Sequence, residues 1–205
     1  MTASLNPGHS PTKQQMLRRR GALQPVPVRN HCLNSPLHLV GPEGQLQVHT
    51  APYRGSFSVV LSEALRAAGL GRRVMVAQFL KGGVSQGPEG SINLCGRLDW
   101  LRPSIPCCIE EHANHESFKE NKSSAIQAVK EIWEVCKARV IAANIDQLVL
   151  DEVGLASALG YLDENDLINT LEKRPSSMDV ILTGPSIPSQ VMKMADQVTE
   201  LRCGG

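Results

Sequence analysis

The sequence predicts an α/β fold in which a mostly parallel sheet carries helices on both faces. Apolar runs of strand length alternate along the chain with longer segments whose apolar residues recur every three or four positions. The short runs are almost unbroken, which is typical of strands buried on both faces of a parallel sheet. Hydrophobic residues make up 41% of the 205 residues, enough for one core. No apolar run approaches the roughly 18 residues that a membrane span needs.

The first half of the chain predicts a strand, a helix and a second strand. The apolar spacing of the helix ends at Gly69 and Gly71, residues that commonly close helices. Residues 82–116 are rich in Gly, Pro and polar side chains, so we expect a long loop there. The predicted elements are a strand over 46–50, a helix over 59–68, a buried strand over 74–80 and a short strand around 92–98.

The second half repeats the alternation of helix and strand. Asp163 stands where an N-cap is expected, and Pro175 stops the helix that follows it. The predicted elements are a long helix over 118–140, a strand over 148–150, a helix over 163–171, a strand over 180–182, a short helix over 190–195 and a last strand over 198–201. Because ligands of such sheets bind beyond the carboxyl ends of the strands, we expect the site near Thr50, Leu80, Asp151 and Thr183.

The segment Thr50–Ser58, here called the 50–58 turn, follows the first strand at the position of a phosphate loop. A working phosphate loop needs glycines, a Lys for the outer phosphates and a Ser or Thr for Mg²⁺. This turn keeps Gly55 but has Ser56 and Phe57 in place of the last two. The helix N-terminus, Arg54 and the hydroxyls of Ser56 and Ser58 nevertheless suit an anion. Anion binding and a purely structural turn both remain open.

Two acidic residues, Asp151 and Glu152, end the apolar strand over 148–150. A carboxylate at this place in phosphate-loop proteins lies near Mg²⁺. The alternative is structural, because acids also cap helices and mark where a strand leaves the core. Combined with the 50–58 turn, the acids predict a metal site formed by Asp151, Glu152 or both.

The charge of the chain is distributed unevenly. Residues 1–42 hold five basic side chains and no acid, so the rest carries −4 of the total of +1. We expect residues 1–44 to be a disordered basic tail and 45–205 to form the α/β domain. Three explanations of the tail remain open: a solvated segment, an arm for an acidic partner, or a start codon placed too early, with Met16 as a later candidate.

Composition also narrows the partners and the location. A net charge of +1 gives no reason to expect nucleic acid or an anionic membrane surface as partner. The six cysteines lack the spacing of a zinc site or a disulfide framework, which favours a reduced, cytoplasmic protein. No apolar stretch of secretory-signal length follows the basic cluster at 18–20, whereas an organellar transit peptide remains an alternative.

Several stretches together resemble the phosphate-loop ATP:corrinoid adenosyltransferases, over about residues 45–202. The matching stretches are Ala64–Gly69, Val76–Gly82, Leu148–Glu152, Gly160–Leu162, Arg174–Pro175, Val180–Gly184 and Ala195–Arg202. The resemblance implies a P-loop NTPase-like fold and transfer of the 5′-deoxyadenosyl group of ATP to Co(I) of cobalamin or cobyrinic acid a,c-diamide. It implies ATP, Mg²⁺ and a corrinoid as ligands, Lys81 and Thr183 as further nucleotide contacts beside the 50–58 turn, and a possible homodimer.

The chain departs from the family pattern at its phosphate loop, which resembles T-G-N-G-K-G-K-T-T in the family. Ser56 and Phe57 replace the last Lys and the first Thr, Pro185 replaces an Arg, and Trp100 stands without a G-F-T-W motif. Two functions therefore remain open. The chain is either an adenosyltransferase with a remodelled phosphate grip, or a degenerate homologue that binds a corrinoid, a nucleotide or a protein. We expect a rebuilt turn, with Phe57 packed into the sheet, since Pro52 donates no N–H and Tyr53 resists the positive φ that a glycine would allow.

Overall fold

The computed structural model describes residues 43–55, 57–109 and 117–202, with backbone alone for 117–121. Within these residues the chain forms a seven-stranded sheet with the strand order β3-β4-β2-β5-β6-β1-β7. All neighbouring strands are parallel except β3 and β4, which pair antiparallel. The strands are β1 Leu46–Thr50, β2 Val74–Gln78, β3 Ile92–Leu94, β4 Leu98–Leu101, β5 Gln147–Asp151, β6 Asp179–Thr183 and β7 Gln197–Glu200.

Helices cover both faces of this sheet, which confirms the predicted α/β fold class. One helix packs against one face through Val60, Ala64 and Ala68. The longest helix and three shorter ones pack against the other face. The helices are α1 Ser58–Gly69, α2 Ser117–Ile141, α3 Val153–Ala158, α4 Glu164–Glu172 and α5 Ser189–Met194.

Most elements predicted from the spacing of apolar residues begin and end within one or two residues of the observed bounds. The N-cap predicted at Asp163 is confirmed, because its carboxylate accepts a hydrogen bond of 2.8 Å from the backbone N–H of Asp166. Gly71 adopts the left-handed φ of +98° just beyond α1, as expected of a glycine that closes a helix. The predicted tail lies outside the described residues over 1–42.

Two features of the fold were not predicted. The single short strand expected around 92–98 is a hairpin, in which Ile92–Leu94 pairs with Leu98–Leu101. The strands are only three and four residues long, too short for a clear alternation of polarity. The six-residue helix Val153–Ala158 was also missed, because a single turn and a half of small apolar residues shows no helical period.

The core below the second strand is centred on Phe79, which is fully buried. Its ring meets Trp133 of α2 edge to face, with 6.2 Å between ring centroids. The indole N–H of Trp133 in turn donates to the carboxylate of Asp166 in α4 at 2.8 Å. These contacts attach two helices to the strand that ends at the carboxyl edge of the sheet.

Among the described residues, no helix is both long enough and apolar enough to cross a membrane. Four of the cysteines lie in the described part of the chain, and all four are free thiols: Cys95, Cys107, Cys108 and Cys136. Burial raises the pKa of the Cys136 thiol well above its ordinary value. This cysteine therefore acts as a small apolar side chain of the core rather than as a nucleophile.

Candidate functional site

Three polar side chains form a row across the carboxyl edge of the sheet. The register pairs Gln78 of β2 with Asp151 of β5, and Asp151 with Thr183 of β6. Because partners in register point to the same face, the three side chains lie side by side. Each is almost completely buried, with at most 2% of its surface exposed. Buried polar groups must find partners, and here the partners are one another.

Asp151 is the centre of this polar row. Its Oδ1 accepts a hydrogen bond of 2.6 Å from the Thr183 hydroxyl, and its Oδ2 accepts one of 2.6 Å from the Gln78 amide. Lys81 completes the group, with its ammonium 3.1 Å from the same Oδ2. The buried carboxylate is thus neutralised by a lysine and satisfied by two neutral donors.

The row continues from Gln78 to the neighbouring strand. Its side-chain oxygen accepts hydrogen bonds from the indole N–H of Trp100 at 2.9 Å and from the guanidinium of Arg102 at 2.8 Å. The guanidinium carbon of Arg102 also lies 5.8 Å from the centre of the Trp100 ring, a cation–π distance. These contacts fix which way the amide of Gln78 faces, so that its NH₂ points to Asp151.

A second ion pair joins the 50–58 turn to the end of β5. The guanidinium of Arg54 pairs with both carboxylate oxygens of Glu152, at 3.1 Å from Nε and 2.8 Å from Nη2. Its Nη1 donates to the carbonyl of Ile109 at 2.5 Å. Such a fork fixes the guanidinium in one plane. The Glu152 side chain is 2% exposed and that of Arg54 25%, so this pair is partly shielded from water.

Glu152 is held in an unusual backbone conformation, with φ of +60° and ψ of +23°. Its N–H donates to the carbonyl of Thr183 at 2.9 Å. Gly184 lies directly against it, and a Cβ added to this glycine would come within 3.1 Å of the Glu152 Cα. The close packing of the two strand ends requires a glycine here and stabilises the left-handed residue opposite.

Phe57 lies at the start of α1, and its ring packs on apolar neighbours. The residue is the N-cap of the helix, but no side chain caps the helix there. Its half-buried ring packs on the apolar cluster under α1 and meets His49 edge to face at 6.2 Å. An apolar cavity of about 290 Å³ adjoins the ring, and its walls include His49, Tyr53, Gly55, Phe57, Ser58 and Leu201.

The contacts of the two acids do not fit a resident divalent cation. Mg²⁺ needs oxygen ligands in near-octahedral geometry, usually a carboxylate with room for several waters. Asp151 and Glu152 are buried, and each already faces a cationic side chain. Among residues 43–55, 57–109 and 117–202, no three His, Cys, Asp or Glu side chains lie close enough together to hold a metal ion. The metal role predicted for the acids stays a prediction that these contacts do not favour.

The structure brings five of the predicted site residues into two linked groups: Lys81, Asp151 and Thr183 in one, Arg54 and Glu152 in the other. Two more, Gly55 and Ser58, line the cavity beside Phe57. The carbonyl of Thr50 accepts a hydrogen bond from the N–H of Leu201. Ser56 lies outside the described residues. The roles predicted for all of these residues stay predictions.

Four groups of the site were not predicted: the side chains of Gln78, Trp100 and Arg102, and the carbonyl of Ile109. Gln78 carried a signal, because it is the one polar residue in an otherwise apolar strand. Trp100 and Arg102 had none, since they lie in a segment whose hairpin the sequence did not reveal. The carbonyl of Ile109 is a backbone group, and such groups leave no mark in a sequence.

Partial burial lowers the pKa of His49, whose ordinary value is 6.5. The unfolded chain therefore binds a proton more readily than the folded one, and we expect stability to fall as the pH drops through about 6.5. Denaturant unfolding at pH 7.5 and 5.5 should show a smaller fall for His49→Gln than for the unmodified chain. Equal falls in both proteins would contradict this role of His49.

Comparison with known proteins places the chain among relatives of one family. A family model described as ATP:corrinoid adenosyltransferase BtuR/CobO/CobP matches residues 42–204. The chain is 30% identical to the corrinoid adenosyltransferase of Escherichia coli (strain K12) over 162 residues, which are 78% of this chain and 76% of that one. It is also 30% identical, with the same coverage, to corrinoid adenosyltransferase CobA of Salmonella typhimurium.

A third relative is more distant. The corrinoid adenosyltransferase of Pseudomonas aeruginosa is 27% identical over 161 residues, 77% of this chain and 74% of that one. The matches span the whole described sheet, and they accord with the P-loop NTPase-like fold that the resemblance predicts. By the extent of the family match and the identity to its members, the chain belongs to the ATP:corrinoid adenosyltransferase family BtuR/CobO/CobP.

Proposed function

We propose that this chain transfers the 5′-deoxyadenosyl group of ATP to the Co(I) of a corrinoid at the carboxyl edge of its sheet. Membership of the family carries the proposal, because proteins of that name match most of the chain. The polar row at Gln78, Asp151 and Thr183 supports it. A buried row of this kind requires a functional or structural reason, and its position is where α/β sheets bind ligands.

The proposed reaction requires the protein to stabilise the charge of a leaving group. The Co(I) nucleophile attacks the 5′ carbon of the ribose, so that its electron pair forms the Co–C bond and cobalt becomes Co(III). The bond from that carbon to the α-phosphate oxygen breaks, and triphosphate leaves with its electrons. Stabilising the charge of the leaving group is therefore the main electrostatic task. Lys81 and Arg54 are the cationic side chains of the candidate site that we assign to this charge.

The neighbours of the two cations suit that task. Asp151 and Glu152 hold the two head groups in fixed places, and each cation keeps part of its side chain exposed, 20% for Lys81 and 25% for Arg54. The α1 N-terminus has no acidic residue in its first turn, so the partial positive charge there is not opposed by its own helix. The apolar cavity beside Phe57 suits a flat ring rather than a phosphate.

Purified protein given ATP and chemically reduced cobalamin should form adenosylcobalamin, seen as a shift of the corrinoid absorption band. Asp151→Asn should lower the rate about 10- to 100-fold, because Lys81 and the Thr183 hydroxyl lose the charge that positions them. The split between kcat and the KM for ATP shows which step Asp151 serves. Asp99→Asn, which alters a partly exposed ion pair on β4, is the matched control and should keep the rate.

The alternative, a homologue that binds a ligand without transfer, predicts a different outcome. It gains support from Phe57, whose ring stands where the family has a hydroxyl. No product above the control without protein, from a folded chain, would overturn the enzyme proposal. Calorimetric titration with ATP and with cobalamin separately would then show which ligand is still bound.

Three finer points belong to the same proposal. The corrinoid is cobalamin or cobyrinic acid a,c-diamide, and turnover of the two in parallel assays decides between them. The possible homodimer and the cytoplasmic location expected from the sequence stay predictions. Sedimentation of the purified chain tests the first of these, and fractionation of cells tests the second.

A further inference from the structure

We propose that this chain binds the triphosphate of its nucleotide without a divalent cation held by the protein, with Arg54 and Lys81 in the place of the metal. This inference rests on the proposed function for the identity of the ligand. It deepens that function by assigning the charge at the phosphates to two side chains. Three separate observations lead to it, one from each acid and one from the 50–58 turn.

The first observation concerns Asp151. Its two oxygens accept three hydrogen bonds, from Thr183, Gln78 and Lys81, and its side chain is 2% exposed. A cation bound directly to this carboxylate would have to displace the ammonium from Oδ2 and find room for its waters in the sheet. Lys81 has instead already satisfied the charge of the acid. The lysine thus holds the position next to Asp151 that a metal would take.

The second observation concerns Glu152. Both of its oxygens are bound by the fork of Arg54, which leaves its two strongest acceptor directions occupied. The left-handed backbone of Glu152 and the packing of Gly184 against it hold this carboxylate in place. A metal at Glu152 would have to compete with a bidentate arginine that is partly shielded from water.

The third observation concerns the residue that would carry the metal hydroxyl. Phe57 stands at the start of α1, and its ring packs beside His49 rather than presenting oxygen. Neither the two acids, as they are paired here, nor Phe57 at the helix start therefore offers Mg²⁺ an oxygen ligand. What the site does supply is two cations whose head groups are oriented by acids. Cationic side chains can neutralise phosphate charge in the absence of a metal.

The proposal is tested by calorimetric titration of the full chain with ATP, once in excess Mg²⁺ and once in excess EDTA. We expect the two dissociation constants to agree within about three-fold. ATP affinity that is ten-fold or more higher with Mg²⁺ would overturn the proposal. A titration with Mn²⁺ alone, followed by its electron paramagnetic resonance signal, should show no site in the absence of nucleotide. A bound Mn²⁺ that disappears in Asp151→Asn would also overturn it.

The variant Glu152→Gln separates the two roles of the acid by the sign of its effect. If Glu152 holds Arg54, the amide removes the negative charge of that partner from the arginine, and ATP affinity should rise about five- to ten-fold in both Mg²⁺ and EDTA. If Glu152 binds a metal, affinity should fall, and only with Mg²⁺. Arg54→Gln is the matched control and should lower affinity in both solutions. Melting temperatures of both variants verify that they are folded.

Failure of the proposed function has a different signature. ATP that binds in neither solution, to a folded chain, overturns adenosyl transfer from ATP and the present inference together. ATP that binds only with Mg²⁺ upholds the nucleotide site and overturns the present inference. The titrations therefore distinguish failure of the proposed function from failure of the inference alone.

Discussion

Replacing Asp151 by Ala is expected to lower the free energy of unfolding by about 3 to 5 kcal/mol. The substitution removes the acceptor of three donors at once: the Thr183 hydroxyl, the Gln78 amide and the Lys81 ammonium. Two of these donors are fully buried, so water cannot replace the lost contacts without opening the sheet. Denaturant unfolding followed by circular dichroism measures the change.

Two comparisons isolate the buried pair from the loss of a carboxylate as such. Asp99→Ala also removes an aspartate from an ion pair, with Arg139 at 3.5 Å, but both side chains are 30% exposed or more. We expect Asp99→Ala to lower the free energy of unfolding by less than about 1 kcal/mol. Adding Lys81→Met to Asp151→Ala should recover part of the loss of stability, because the ammonium is then removed together with the carboxylate that it pairs with. Equal losses for Asp151→Ala and Asp99→Ala would contradict a structural role of the row.

Phe79→Ala is expected to lower the free energy of unfolding by about 3 to 5 kcal/mol as well, through packing rather than charge. The ring is fully buried and meets Trp133, so its removal leaves a cavity between β2 and α2. Phe79→Leu fills part of that space and should lose less. Ile141→Ala is the control, since that side chain is 83% exposed at the end of α2 and should change stability little.

If Phe79→Ala lowers the free energy of unfolding no more than Ile141→Ala does, this packing role of Phe79 is wrong. Because Phe79 lies between Gln78 and Lys81 in the chain, the same variant reports on the site. Its N–H donates to the carbonyl of Asp151 at 3.2 Å. We therefore expect ATP affinity to fall in Phe79→Ala at temperatures where the variant is still folded.

The sequence predicts elements well where burial imposes a strong period. The buried strands at 74–78 and 147–151 read as apolar runs because helices cover both of their faces. The hairpin Ile92–Leu101 escaped prediction for the opposite reason. Its first strand is exposed at the edge of the sheet, so selection for apolar residues there is weak.

For the candidate site, the sequence predicts which residues lie there but not which of them contact one another. The sequence predicts the positions of Asp151 and Thr183, because each ends a strand of the parallel sheet. The partner of each cation did not follow, because it depends on the register between strands and on a turn that has no family pattern. The ion pair of Arg54 with Glu152 joins residues 98 positions apart, a contact that only the folded chain reveals.

The polar row through Asp151 also restrains how far the carboxyl ends of the neighbouring strands can separate. Its donors come from β2, β6 and the segment after β2, so one carboxylate joins three neighbouring parts of the sheet. No one of these strands can separate at its carboxyl end while the row is intact. We therefore expect the amide hydrogens of these strand ends to exchange with solvent slowly, on the scale of global unfolding. An arriving ligand therefore meets a row that is already formed, and binding spends no free energy on ordering these three side chains.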